Sequence, residues 1–284
     1  MSQQELSSIY ASSKWAPPFL REFEQLGTEV GFINAIHETL QRDNVTVDID
    51  GDFEQLKEHS GGVLFVGDHK NSWEFVAAMD MVSQMGRDDM LNVAKFYVRN
   101  AVNQVLGQTA ADLLLPVYPR ILASDRQNIF NYELFNRLKY HKDLLTLAQS
   151  QAANDQATIT ASERLTNGGV VNVYPTGQVV DAGQHPWREG VGKILKSIPD
   201  HDKDSVLIVP YNMQHISRMR FMGAIAMRGK GIFGKPQSLN VQLGTMQTAS
   251  ELVGQLHPRD QDDPKAITAL LQQQFIKDFT NTSN

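Results

Sequence analysis

The chain has no cysteine among its 284 residues. That excludes disulfides, a thiolate nucleophile and any thiolate-held metal site. No stretch approaches the run of about 20 apolar residues that a membrane-spanning helix requires. The opening segment MSQQELSSIY is polar and lacks the apolar core of a secretory signal, so a soluble or peripheral protein on the cytoplasmic side is expected. No Pro/Gly/Ser-rich linker divides the chain, which predicts one domain over 1–284: a helical segment 1–45, an α/β core 46–250 and a C-terminal helix 251–284. Positive charge is not in excess, the net charge being −6, so nucleic acid is not an expected partner. Acidic residues are absent from one long span, 205–250.

What is present is an alternation of apolar runs and helical periodicities. Leu20, Phe23, Leu26, Val30, Ile33, Ile36 and Leu40 recur at helical spacing, with Gly27 and Gly31 as candidate breaks. Short strands are predicted at 44–49, 63–67, 91–98, 113–118, 170–174, 206–210 and 239–243. Pro116 cannot donate to a sheet ladder, so its strand is expected to be short or at an edge. Helices are predicted at 53–58, from about 73 to 85, at 101–111, within 125–165, at 190–197 and at 264–279. The last opens with Pro264 after Asp262 and Asp263, a helix-start pattern. Strands alternating with helices predict a mainly parallel sheet covered on both faces, and such sheets bind ligands beyond the carboxyl ends of their strands.

Two turns fall at such ends. One is Asp68-His69-Lys70-Asn71-Ser72 after the run 63–67, and the other is Pro175-Thr176-Gly177-Gln178 after Val170–Tyr174. His69 and Glu74 are a candidate base and orienter: a carboxylate on one ring nitrogen fixes the tautomer and leaves the other free to take a proton from an alcohol. On one regular helix, positions five apart point about 140° from each other, so the pair meets only if His69 lies in the turn before the helix. Asn71 or Ser72 reads as the helix cap; a nucleophilic Ser72 lacks a G-x-S-x-G elbow. Spacing alone is weak, since a chain of this composition yields about one His-x4-acid match by chance. His257 and Asp262 form such a match in a proline-bearing loop.

The ordered blocks around His69 resemble those of the glycerolipid acyltransferase superfamily, which includes glycerol-3-phosphate and lysophosphatidate acyltransferases. The family's N-H-x-x-x-x-D block corresponds to Asp68-His69-Lys70-Asn71-Ser72-Trp73-Glu74. Its lysine-bearing strand corresponds to Ala94-Lys95, and its strand ending in arginine to Leu114–Arg120. Its F-P-E-G block and following helix start correspond to Tyr174-Pro175-Thr176-Gly177-Gln178 and Arg188-Glu189-Gly190-Val191-Gly192, and its strand ending V-P to Ile208-Val209-Pro210. Glu74 replaces the usual Asp, as in similar lipid A acyltransferases. Thr176 replaces Glu, much as plastid-type enzymes carry Pro-Ser-Gly. Gln178 and Val179 stand where the family has a phosphate-reading Arg, which leaves the acceptor open.

The resemblance implies an α/β acyltransferase of lipid metabolism, as in phospholipid biosynthesis. His69 would deprotonate a hydroxyl acceptor such as glycerol-3-phosphate or a lysophospholipid, and Glu74 would orient it. Lys95, Arg120, Thr176, Gly177 and Arg188 would bind substrate, with backbone N–H groups near Gly177 holding the oxyanion. The donor would be acyl-CoA or an acyl carrier protein; no metal or resident cofactor is implied. A thioester hydrolase on the same scaffold, or a non-catalytic acyl- or lipid-binding protein, are the alternatives. The acid-free span 205–250 carries Arg218, Arg220, Arg228, Lys230 and Lys235 among methionines and phenylalanines. It reads either as a site for the donor's phosphates, a carrier protein or an anionic membrane, or as solvated loop charge beside ordinary core.

Overall fold

The computed structural model describes residues 26–42, 44–68, 74–95, 112–117, 147–176, 182–213 and 237–280. The strands are β1 (Val45–Asp50), β2 (Gly62–Gly67), β3 (Met90–Lys95), β4 (Leu114–Val117), β5 (Val170–Val173), β6 (Val206–Met213), β7 (Gln237–Leu243) and β8 (Gln247–Thr248). The helices are α1 (Phe32–Arg42), α2 (Phe53–Glu58), α3 (Glu74–Gln84), α4 (Leu147–Thr166), α5 (Gly190–Ser197), α6 (Ala249–Gly254) and α7 (Pro264–Thr280). A further helical stretch, 26–30, is divided from α1 at Gly31, whose φ is +85°.

The strands form one sheet in the order β1-β7-β6-β2-β5-β3-β4, with β8 also pairing β6. β6, β2, β5, β3 and β4 are mutually parallel, so their carboxyl ends share one edge. β7 runs antiparallel to β6, and β1 parallel to β7, so this flank is reversed. The α/β class with a mainly parallel sheet, helices on both faces and an N-terminal helix packed on it holds. Strand direction at the flank is set by pairing partners remote in sequence, which periodicity does not report. β4, the strand with Pro116, is both short and terminal in this order.

Each face has its own core. On one face α1 and α3 cover Val63, Phe65, Leu207, Val209 and Tyr211. On the other, α4, α5, α6 and α7 cover Leu64, Val66, Val171, Val173 and Ile208. Burial on both sides explains why β2 and β5 read as unbroken apolar runs. α7 buries Ile267, Leu271, Phe275 and Phe279, a four-residue repeat along one stripe. It meets α5 at Gly192, where an added Cβ would lie 2.0 Å from the Pro264 carbonyl oxygen. The Gly192 N–H, otherwise an orphan of the first helical turn, donates to Thr268 Oγ1 at 3.1 Å.

The amino edge is fastened by side chains from two connecting segments and from the end of α4. Arg87 donates to the carbonyls of Gly61, at 3.1 Å, and of Gly168. Arg164 donates to the Asp89 carbonyl. His59 Nε2 lies within hydrogen-bonding distance of the Gly62 and Ser205 carbonyls, at 3.2 and 3.1 Å.

Candidate functional site

β2 leaves the sheet at Gly67, and Asp68 follows it. The two faces of the sheet present different chemistry at this point. On the α3 face, Tyr211 of β6 pairs in register with Gly67. An added Cβ at Gly67 would lie 2.4 Å from Tyr211 Cζ and 2.5 Å from its hydroxyl oxygen. The missing side chain is therefore the space through which the ring crosses β2. The ring packs edge-on against Phe65, with centroids 5.9 Å apart. Its hydroxyl lies 3.1 Å from Asn172 Oδ1 and 3.2 Å from the Tyr174 hydroxyl. Asn172 Nδ2 in turn donates to Asn92 Oδ1 at 2.9 Å. Asn92 Nδ2 has no partner among the described residues, so the polar stripe ends there.

This stripe joins β3, β5 and β6 beneath α3, and Glu74 is the first residue of α3. Glu74 is only 1% exposed. A glutamate in the first helical turn suits the helix dipole, but such residues are ordinarily solvated, and a buried carboxylate needs polar surroundings. The tyrosines register its presence. Burial raises the Tyr174 hydroxyl above the ordinary tyrosine range, and the Glu74 charge adds to that rise. Burial likewise raises Tyr211 well above its ordinary value, with Tyr174 and Glu74 contributing. Both phenols are therefore neutral hydrogen-bonding groups at any physiological pH.

On the opposite face, Asp68 is buried and its Oδ1 accepts from the Ala182 N–H at 2.8 Å. The Ala182 carbonyl accepts from Trp187 Nε1 at 2.9 Å, and Trp187 packs against Phe275 of α7. The Arg188 N–H donates to the Pro175 carbonyl at 2.9 Å. Asp68 thus ties the end of β2 to the segment that begins at Ala182. β2 and β5 are adjacent and parallel, so Asp68 and the Pro175-Thr176 pair follow neighbouring strand ends.

Of the residues singled out from sequence, Glu74 is buried at the head of α3, Thr176 is buried in the turn after β5, and Lys95 ends β3 on the same edge. Arg188 is exposed on the segment before α5. His69, Arg120, Gly177, Arg218, Arg220 and Lys230 lie outside the described residues. At the spare match, His257 Nδ1 accepts from the Arg259 N–H at 3.4 Å, capping a short 3-10 turn. Sequence reasoning missed Asn92, Asn172, Tyr174 and Tyr211 as a group. A signal existed: β3 and β5 each carry an asparagine inside an otherwise apolar run (MLNVAK and VVNV), and a buried amide requires a partner.

Among the described residues no helix is long and apolar enough to cross a membrane, and no cluster of three or more acidic or histidine side chains is placed to hold a metal. No protein-family model matches the chain, and no curated protein matches it. Among solved structures, the chain is similar to the crystal structure of PlsC, the 1-acyl-sn-glycerophosphate (LPA) acyltransferase from Thermotoga maritima. The identity is 11%, the alignment covers 93% of this chain and 80% of that one, and the TM-score is 0.44, a distant likeness from which no chemistry follows.

Proposed function

We propose that this protein is an acyltransferase that moves an acyl group from a thioester, acyl-CoA or acyl carrier protein, to a hydroxyl acceptor. The observation that carries the reading is the burial of Glu74 at the head of α3, five positions after His69 in the sequence. Burying a carboxylate costs several kcal/mol, roughly, unless polar groups compensate. A carboxylate five positions after a histidine, at a helix start, is what a base–orienter pair would use.

In this reading His69 takes the proton of the acceptor hydroxyl. The oxygen attacks the thioester carbonyl, the C–O bond forms, and the C–S bond breaks from the tetrahedral intermediate. The departing thiolate recovers the proton from His69, so the pair returns to its starting state. Glu74 holds the imidazole tautomer and stabilises its transient positive charge. Backbone N–H groups about Gly177 supply the oxyanion's hydrogen bonds. Lys95, Arg120, Thr176 and Arg188 are assigned to substrate binding, and Arg218, Arg220 and Lys230 to the donor or to an anionic membrane surface. Neither a metal nor a resident cofactor takes part.

The test is to incubate the protein with labelled palmitoyl-coenzyme A or palmitoyl-acyl carrier protein. The acceptors are glycerol-3-phosphate, lysophosphatidate and phosphate-free alcohols, and products are identified by mass. Ester formation that His69→Ala abolishes and Glu74→Gln lowers by about a hundredfold supports the assignment. Free palmitate with every acceptor would mark a hydrolase. Binding of palmitoyl-coenzyme A without turnover would mark a binding protein, and undiminished turnover by His69→Ala would remove the mechanism.

A further inference from the structure

We infer that Gln41 is a proton-operated switch on the exposed face of α1, its side-chain amide reversing when His37 gains or loses a proton. The inference does not draw on the reading of His69 and Glu74. Its basis is a row of hydrogen bonds that crosses from α3 to α1. Asp80 of α3 is 2% exposed. Its Oδ2 accepts from Gln84 Nε2 at 2.6 Å, and its Oδ1 lies 2.8 Å from His37 Nδ1. His37 Nε2 lies 2.7 Å from Gln41 Nε2. Among the described residues, Gln41, Leu26, Glu38 and Arg42 line an open cavity of about 480 Å³.

The proton count sets the direction of each bond. A carboxylate only accepts, so His37 Nδ1 carries a proton in both charge states of the ring. In the neutral imidazole Nε2 is then the lone-pair nitrogen, and the Gln41 N–H2 donates to it, which is the arrangement seen. In the imidazolium Nε2 carries a proton as well, and two donors face each other. The bond survives only if Gln41 turns its amide over and presents Oε1. No other member of the row can make the adjustment. Asp80 accepts in either state, and Gln84 holds its second oxygen. One helical turn away, Ser83 Oγ donates to Asn34 Oδ1 at 2.9 Å, and Asn34 Nδ2 donates to the Val30 carbonyl at 3.0 Å. Ile33, Ile36 and Leu40 bury the same helix in the core, so the ring stays where it is. Gln41 is exposed and free to rotate. The cavity therefore meets its carbonyl oxygen in one state, and its N–H2 beside an added positive charge in the other. The His37 side chain is 28% exposed, so solvent delivers the proton. Among the described residues, the charged groups on the elements packed about His37 are Asp80 and Glu74 on α3, Glu38 and Arg42 on α1, and Glu29 on the stretch before it. β1 turns Val45, Val47 and Ile49 toward α1, and Asp80 is the group bonded to the ring.

The experiment uses the full chain and no substrate. The His37 ring nitrogens and the Gln41 side-chain amide are followed by NMR in uniformly nitrogen-labelled protein, across the range of about pH 5 to 8 in which histidines change charge. Gln41→Met, at an exposed position, assigns the amide signals, and through-bond connectivities assign the ring. At the upper end of the range the neutral ring should carry its proton on Nδ1, in Gln41→Met as in the wild type, because Asp80 sets the tautomer. As pH falls, the Gln41 amide signals should shift with the same midpoint as the ring. Overhauser contacts between the Gln41 N–H2 protons and the His37 ring protons should be present above that midpoint and lost below it, which separates a reversal of the amide from the mere field of a nearby charge. A neutral ring with its proton on Nε2, a ring that holds one charge state throughout, a Gln41 amide that ignores the ring's titration, or contacts that persist below the midpoint would each overturn the inference.

Discussion

Replacing Gly67 by alanine adds one methyl group where the structure has a tyrosine ring. The new Cβ would stand 2.4 Å from Tyr211 Cζ, 2.5 Å from its hydroxyl and 2.6 Å from Cε1, all on a side chain that is itself fully enclosed. Ordinary contact begins near 3.4 Å, so the ring must retreat by about an ångström from a site closed by Phe65. The φ of Gly67 is one that alanine can adopt, so the cost is steric. Overpacking of this kind costs about 1–3 kcal/mol. Withdrawing the hydroxyl from Asn172 and Tyr174 adds about 1 kcal/mol for each bond lost. A total near 3–5 kcal/mol corresponds to a fall in Tm on the order of 10 °C for a chain of this size. The decisive assay is a double-mutant cycle by urea unfolding. In a Tyr211→Ala background the obstacle is gone, and the same Gly67→Ala change should cost less than about 0.5 kcal/mol. Additive losses in the double variant would refute the crossing of the ring over β2, and with it the physical basis of the stripe.

Alkaline pH offers an independent check. Tyr174 and Tyr211 are both raised above the ordinary value of about 10, so the folded state keeps their protons where the unfolded state releases them. Their contribution is complete below that value and declines as pH climbs past it, by about 1.4 kcal/mol per pH unit for each tyrosine. Urea midpoints measured from pH 9 upward should fall more gently in Tyr211→Phe, and an identical slope would contradict the burial argument. At Asp68, asparagine retains an oxygen for the Ala182 N–H and should cost under about 1 kcal/mol, whereas alanine orphans that donor and should cost about 1–3 kcal/mol. Equal effects of the two changes, read by thermal melting, would mean that the carboxylate's charge matters more than this bond.

The contrast between what periodicity revealed and what it hid has a physical cause. β2, β5 and β6 were legible because parallel strands buried on both faces are continuous apolar runs, and α7 because its apolar residues recur every four positions. Pro116 correctly marked a short terminal strand, since it lacks the donor that an interior strand needs. The place of Glu74 at a helix start was legible because a helical periodicity begins there. The tyrosine–asparagine stripe was not, because its members are 37, 39 and 80 residues apart and meet only through strand order. Gly192 was legible as part of a helix start. That α7 demands it, through the close approach of Pro264, was not. The reversal of β7 and β1 likewise depends on pairing across the chain rather than on any local pattern.

The fastening at the amino edge has a consequence for how the sheet finds its alignment. β2 is GVLFVG, buried at every position, so sliding it past β5 or β6 by two residues would exchange one apolar side chain for another. Hydrophobic alternation cannot reject that error when both faces are dry. The ends of the strand can. A slip would withdraw the Gly61 carbonyl from Arg87 and the Gly62 carbonyl from His59, leaving polar groups without partners at one end. At the other it would bring a full side chain, such as that of Phe65, to the Tyr211 position in place of Gly67. β2 is therefore indexed by its two termini, as a ruler is read from its end marks, and the mark nearest the candidate base is the glycine that admits the tyrosine.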